Sequence, residues 1–259
     1  MPDLFTIDLS LMDWAIFLVA GIVTGIINTL AGSGSLITLP IFVFICGLPA
    51  PVANGTNRVG VFLQSAVGFG TYYRNDKTNF SGSGWIVASV VIGAVLGSFI
   101  AVDLDEEAMN MVLGFLMVFM MVVLLIKPSR WIHEAAVASH RSKSPLTLIT
   151  FFAIGVYGGF IQAGVGIFLL TGLVLINRYT LKSGNGIKLL VVVLYSVPSL
   201  AVFFWFDQVH LGYGLAMAVF QAIGAWLAVK WVIHFENADV WIHRLLIVIV
   251  AVAGAKFLF

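Results

Sequence analysis

The sequence predicts an all-α polytopic membrane protein built from two inverted repeats, and three features support this: composition, apolar segments and an internal similarity. Of the 259 residues, 61% are hydrophobic and 10% are charged, and the mean hydropathy is +1.07. Soluble domains carry about 25% charged and about 45–50% apolar residues. This chain therefore has too little polar surface for water to be its main solvent, and the bilayer takes that role.

The apolar segments define the expected helices. A helix needs roughly 20 apolar residues to cross a bilayer, and two of the segments, 35–47 and 167–178, are too short to cross upright. A single helix over 13–47 would instead be roughly 50 Å long at about 1.5 Å per residue, far beyond the ~30 Å hydrocarbon core. Each half is therefore expected to contain a glycine-broken helix or helical hairpin plus three further spans, giving eight full spans or up to ten segments. The segments are 13–31, 35–47, 51–73, 81–102, 106–126, 146–163, 167–178, 181–206, 211–234 and 238–258.

An internal similarity divides the chain into a first repeat, 1–127, a linker, 128–145, and a second repeat, 146–259. Glycine and polar positions of the first repeat recur in the second, in the same order, at offsets between 131 and 134. Such ordered self-similarity indicates an internal duplication. The matched pairs are Gly21 and Gly155, Gly25 and Gly159, Gly32 and Gly164, Gly34 and Gly166, Asn54 and Asn185, Ser65 and Ser196, and Gly93 and Gly224.

The distribution of basic residues favours an inverted relation between the repeats. With five segments in each repeat, the loops 74–80, 127–145, 177–183 and 230–244 all lie on one side and hold ten of the thirteen lysines and arginines. The positive-inside rule then places these loops, including the linker, in the cytoplasm and both termini outside it. The N-terminus carries acids where a secretory signal has basic residues, so the first apolar segment is expected to remain as a span. The expected location is a cell membrane, the inner membrane if the source is bacterial.

The two glycine-rich breaks are the first candidate site. Glycine lets the backbone turn its amides toward a cavity, and a helix that begins there presents free N–H groups and a positive dipole end to an anion. Binding near the midplane at a repeat interface is typical of inverted-repeat transporters. The alternative is close helix packing through small residues. The candidate residues are Gly32, Ser33, Gly34 and Ser35 in the first break, and Gly164 and Gly166 in the second.

Polar residues at the entrance to two apolar runs form the second candidate. Arg58 or Lys188 could neutralise a substrate oxyanion, because an intramembrane cation is costly and usually functional. Either could instead snorkel to a headgroup or brace a loop. Asn28 and Gln162 occupy near-equivalent positions just before the breaks, and other deep polar residues could line a pathway or bond between helices. The remaining candidates are Thr56, Asn57 and Asn185; the other deep polar residues are Gln64, Ser65, Ser196 and Gln221.

Several functions are disfavoured by what the sequence lacks. No carboxylate lies deep in an apolar segment, which argues against a metal-cation transporter. There is no GxxxxGK[ST] motif for ATP, and the five histidines show no metal-ligand spacing. The net charge of +1 gives no basis for nucleic acid binding. We therefore expect no enzyme activity, no cofactor and no bound metal, and we interpret the single cysteine, Cys46, as a packing residue.

The order of motifs resembles that of the sulfite exporter family, the TauE/SafE permeases. The resemblance rests on Gly32-Ser33-Gly34, Pro40 and Gly55-Thr56-Asn57, with a weaker second copy at Gly186-Ile187-Lys188, and it covers essentially the whole chain. The sequence departs from the family pattern in two places. Ser33 and Ser35 interrupt the glycine tract, and the second copy of the Gly-Thr-Asn motif has Ile and Lys in place of Thr and Asn.

The resemblance implies transport of small sulfur-containing anions such as sulfite or organosulfonates, driven by an ion gradient and not by ATP. The expected partners are a small anionic substrate and the lipid bilayer, and the sequence leaves a homodimer open. The alternative function is an anion channel, which would pass a large, linear current where a carrier would saturate.

Overall fold

The computed structural model describes residues 4–75, 82–125, 144–231 and 238–258. These residues form ten helices and no strand. The first half contains α1 (Leu11–Leu30), α2 (Ser35–Phe44), α3 (Ala50–Asn75), α4 (Gly84–Val102) and α5 (Glu106–Leu125). The second half contains α6 (Pro145–Phe160), α7 (Val165–Thr171, continued by a π-helical turn, Gly172–Ile176), α8 (Leu181–Trp205), α9 (Leu211–Lys230) and α10 (Ala238–Leu258).

The expected all-helical, multi-pass class is confirmed. Five described helices, α1, α4, α5, α8 and α9, are long and apolar enough to cross a membrane. Helix α3 is also long, but its polar residues lower its hydropathy. The two segments expected to be too short are separate short helices, α2 and α7. The predicted linker, 128–145, lies outside the described residues except at its last two positions, and the count of eight full spans stays a prediction.

Side-chain caps fix where several helices begin. Ser10 Oγ accepts a hydrogen bond from the Asp13 amide, and the Asp13 side chain accepts one from the Ser10 amide, which forms a capping box at α1. Ser144 caps α6 in front of a proline at the first helical position, where the missing N–H costs nothing. Thr180 caps α8 through the Ser183 amide.

The largest helix contacts join one half of the chain to the other. Helix α4 packs against α6, and α1 packs against α9. Both interfaces depend on glycine: a side chain at Gly159 would collide with the carbonyl of Ala94, and one at Gly25 with the carbonyl of Gln221. Close backbone approach through small residues is the usual way that helices associate in membranes.

The remaining large contacts also cross between the halves. Helix α3 packs on α9 and on α8, helix α8 packs on α4, and α5 packs on α10. The two halves are therefore interleaved, with α3 and α8 in contact at the centre. Large apolar side chains on the outer helix faces are exposed, including Phe115, Leu146, Ile149 and Val248. So much exposed apolar surface is unfavourable in water and suits lipid.

Candidate functional site

The two glycine-rich breaks are in direct backbone contact. The amide of Gly166 donates a hydrogen bond to the carbonyl oxygen of Gly32 at 3.0 Å. Gly32 and Gly164 have φ angles of 77° and 73°, which side chains disfavour and glycine accepts readily. A Cβ atom at either Gly32 or Gly166 would collide with the backbone of the other residue. The chain therefore needs glycine here both for the turn and for the contact.

Arg58, on α3, caps the end of α6 just before the second break. Its Nη1 donates to the carbonyl of Gly158 at 3.2 Å, and its Nη2 donates to those of Gly159 at 2.6 Å and Phe160 at 3.3 Å. Asn54 Nδ2 adds a bond of 2.9 Å to the Phe160 carbonyl. The last carbonyls of a helix have no partner within the helix and carry its negative dipole end. A cation here donates hydrogen bonds to these carbonyls and also compensates the negative end of the dipole.

Lys188, on α8, has the corresponding position at the end of α1, just before the first break. Its Nζ donates to the carbonyl of Thr29 at 2.8 Å and to that of Asn28 at 3.4 Å. Each half thus supplies the cation that caps the first helix of the other half.

Neither cation has an acidic counterion in the part of the chain that the structure describes. Arg58 and Lys188 are 0% and 1% exposed, and no aspartate or glutamate is among the buried described residues. An unpaired buried charge is strongly unfavourable, so an anionic ligand would relieve that cost. The same described residues contain no group of His, Cys, Asp and Glu that could hold a metal ion.

A small, partly open cavity lies where the two breaks meet α3 and α8. Its wall includes Lys188 and the two residues in backbone contact, Gly32 and Gly166. The other lining residues are Asn28, Val61, Ser65, Gln162, Val165, Leu189, Val192 and Tyr195.

Five of the residues predicted from the sequence line the cavity: Asn28, Gly32, Gln162, Gly166 and Lys188. The other predicted residues are Ser33, Gly34, Ser35, Thr56, Asn57, Arg58, Gly164 and Asn185, which do not line it. They remain candidates for a ligand in another conformation.

The contacts of the non-lining residues explain their positions. Asn57 accepts a hydrogen bond from Thr38 Oγ1 at 2.6 Å and donates one to Ser35 Oγ at 3.0 Å. Thr56 Oγ1 accepts one from the His210 amide at 2.8 Å. These bonds join α3 to α2 and to the start of α9. Ser33 Oγ and Asn185 Oδ1 are buried with no partner among the described atoms.

Tyr195 is a lining residue that sequence reasoning missed, and Ser65 was noted only as a deep polar residue. The signal for Tyr195 was its spacing: it follows Lys188 by seven residues and Val192 by three, which places all three on one face of a helix. Ser65 likewise follows Val61 by four residues. Gln162 Nε2 donates to Tyr195 Oη at 3.2 Å and to Ser196 Oγ at 3.0 Å.

The fold and this cavity define a multi-pass helical membrane protein with a buried cation on the wall of a small cavity. Residues 17–257 match the family described as "Sulfite exporter TauE/SafE", and the chain belongs to that family of membrane transporters.

Relatives with curated names are similar over most of their length. A "Probable membrane transporter protein ORF9" from Sinorhizobium sp is 26% identical over 95% of this chain and 93% of its own length. A "Probable membrane transporter protein" from Haemophilus influenzae is 24% identical over 87% of each chain. The "Probable membrane transporter protein YfcA" from Escherichia coli K12 is 22% identical over 94% of this chain and 88% of its own. No solved structure matches the chain.

Proposed function

We propose that this protein is a secondary transporter of a small sulfur-containing oxyanion, such as sulfite or an organosulfonate, driven by an ion gradient. The observation that carries the proposal is Lys188: a fully buried ammonium, with no carboxylate partner in the described residues, on the wall of a cavity between the two breaks. The ligand that this environment can desolvate at least cost is an anion. The sulfur chemistry comes from the family description.

The proposed mechanism is alternating access between two inverted repeats, residues 1–127 and 146–259. The helix contacts support it. In the proposed repeat, α1 corresponds to α6, α3 to α8, α4 to α9 and α5 to α10. When each helix is replaced by its counterpart, the α4–α6 contact becomes the α9–α1 contact, and the α3–α9 contact becomes the α8–α4 contact. The α3–α8 and α5–α10 contacts are unchanged by the exchange, as a two-fold relation requires. Rocking of one repeat against the other around a fixed site is how such transporters work.

The proposed orientation places both termini outside the cytoplasm, in a cell membrane, with the basic loops inside. The basis is the charge distribution of the sequence. Impermeant thiol labelling of a single cysteine at position 138, in a variant that lacks Cys46, tests it. The proposal requires that the label react only after the membrane is permeabilised.

Uptake of radiolabelled sulfite into proteoliposomes tests the function, with sulfoacetate, taurine and thiosulfate as competitors. Lys188→Met should weaken anion binding by about ten- to a hundredfold, because a charge-assisted hydrogen bond contributes roughly 1.5–3 kcal/mol. Lys182→Met is the matched control, since Lys182 is exposed on the same helix. Equal uptake by wild type and Lys188→Met would contradict the role of the cavity.

The same liposomes separate a carrier from a channel. A carrier saturates with sulfite concentration and is stimulated by unlabelled sulfite on the opposite side. An imposed proton or sodium gradient should raise the initial rate if the ion drives transport. Linear flux without stimulation from the opposite side would favour the channel instead.

A further inference from the structure

We infer that Tyr195 and Ser65 complete, with Lys188 and Asn28, a set of hydrogen-bond donors that recognises the three-oxygen head group of a sulfonate or sulfite and discriminates against carboxylates. This inference rests on the proposed function, because it assigns the substrate's head group to the same cavity. Sequence reasoning gave no specificity role to Tyr195 or Ser65.

Two donors come from the end of α1 and its cap. An ammonium group has three N–H donors, and Lys188 uses two of them on the carbonyls of Thr29 and Asn28. The Asn28 side chain accepts a bond from the Gly34 amide through Oδ1, so its NH₂ group remains available. Within the described residues, neither the third N–H of Lys188 nor the Asn28 NH₂ has a protein partner. Both residues line the cavity.

Two further donors are hydroxyl groups on the cavity wall. The Tyr195 oxygen accepts a bond from Gln162 Nε2, and a phenol that accepts still has its own proton to donate. Its proton meets no acceptor in the described part of the chain. Ser65 makes no side-chain hydrogen bond to any described residue and lines the cavity. Both side chains are buried, so bulk water competes little for them.

The donors lie on three different helices around the cavity, α1, α3 and α8. A planar carboxylate reaches fewer of these directions than the pyramidal head group of a sulfonate. A sulfonate presents three equivalent oxygens and a carboxylate two, so the larger head group leaves fewer buried donors unpaired. A binding site rejects a ligand that leaves its buried polar groups without partners. The rest of the wall is apolar, formed by Val61, Val165, Leu189 and Val192, and it suits the sulfur lone pair of sulfite or a short hydrocarbon tail.

Methanesulfonate and acetate form a matched pair for the test, because both are singly charged and carry one methyl group. Their affinities are measured by isothermal titration on the purified full-length protein in detergent. Wild type should prefer methanesulfonate. Tyr195→Phe and Ser65→Ala should each lower the ratio of the two affinities, by about tenfold for loss of one hydrogen bond to a charged group, mainly by weakening methanesulfonate.

Two variants serve as controls for general damage to the fold. Tyr157→Phe removes a hydroxyl that bonds to the Ala163 carbonyl, and Ser199→Ala removes one that bonds to Ser98; neither residue lines the cavity. Both controls should keep the wild-type ratio.

The possible results separate the two proposals. Unchanged ratios in both Tyr195→Phe and Ser65→Ala would overturn this inference while leaving anion transport in place. If wild type binds neither methanesulfonate nor sulfite, the proposed function fails and the inference fails with it. If Tyr195→Phe does not fold, the ratio for Ser65→Ala decides alone.

Discussion

The ends of α6 and α1 are capped by cations in two different ways. Arg58 at the end of α6 uses two nitrogens on three carbonyls, lies with its guanidinium carbon 4.2 Å from the centre of the Phe203 ring, and is not among the residues that line the cavity between the breaks. Lys188 at the end of α1 uses one nitrogen on two carbonyls, one of them at 3.4 Å, and lines the cavity. Arg58 therefore makes three bonds to carbonyls without lining the cavity, and its Nε is buried with no partner among the described atoms, whereas Lys188 makes two bonds to carbonyls and lines the cavity.

This difference assigns different roles to two cations that the sequence presents as equivalent candidates. A planar guanidinium satisfies several carbonyls at fixed geometry, whereas an ammonium is a point charge on a flexible stem. We expect Arg58 to stabilise the fold and Lys188 to bind the anion. Each prediction below measures stability and anion affinity separately, so that the two roles can be distinguished.

The largest expected effect is that of Arg58→Met on stability. It leaves the buried Gly158 carbonyl without a donor, which costs about 1–3 kcal/mol. It also removes the 2.6 Å charged bond to the Gly159 carbonyl, which keeps only a 3.2 Å bond from Ser98 Oγ, and a hydrogen bond to a charged group contributes roughly 1.5–3 kcal/mol. A loss of about 3 kcal/mol or more is expected, seen as a lower melting temperature by tryptophan fluorescence in detergent. The melting temperature of Arg58→Lys should lie between those of wild type and Arg58→Met, because lysine keeps the charge and lacks the planar guanidinium with its several N–H donors.

Arg74→Met is the matched control, since Arg74 is exposed near the other end of α3, and it should melt like wild type. A variant Arg58→Met that melts normally but binds sulfite weakly would reverse the roles assigned to the two cations.

The sequence predicted local features of this site well and long-range ones poorly. The broken helices and their glycines follow from composition and spacing, which are local, whereas the sequence left open whether Lys188 is buried or reaches a headgroup. The capping role of Arg58 depends on a helix end 100 residues away along the chain, and no local pattern encodes which helix end lies opposite. Tyr195 was missed because an aromatic residue in an apolar run is usually packing, and only its register with Lys188 marks it.

The contact between the two breaks is the next target. Gly166→Ala places a methyl group against the backbone of Gly32, and overpacking of this kind costs about 1–3 kcal/mol. Because the contact borders the cavity, the variant should also bind sulfite more weakly. Gly70→Ala is the control, since a methyl group there meets open space. Equal melting temperatures and affinities for the two variants would mean that the breaks separate at little cost.

Removal of the aromatic ring under Arg58 should have a smaller effect. Phe203→Leu keeps an apolar side chain and removes the cation–π contact, for which pairs contribute from about 0.5 kcal/mol when exposed to about 2 kcal/mol or more when desolvated. A loss of about 1–2 kcal/mol is expected, with anion affinity within twofold of wild type. Weakened sulfite binding in Phe203→Leu, measured by titration, would indicate that Arg58 and its ring communicate with the cavity after all.

The smallest expected change in stability is that of Lys188→Met without ligand. Of the two carbonyls that lose their donor, the one of Asn28 belongs to a cavity-lining residue, where a bridging water can replace the lost bond. Removal of a buried charge that lacks a carboxylate also offsets part of the loss. The free energy of unfolding of the unliganded variant should therefore lie within about 1 kcal/mol of the wild-type value, far closer to it than that of Arg58→Met.

The difference between the two cations should become visible when sulfite is added. A ligand at a hundred times its dissociation constant stabilises the native state by about 2.7 kcal/mol, and the wild-type melting temperature should rise accordingly. Arg58→Lys should keep a rise of similar size from its lower starting point, whereas Lys188→Met should lose most of it at the same sulfite concentration. A full rise in Lys188→Met would show that the anion is held elsewhere and that both cations serve only as helix caps.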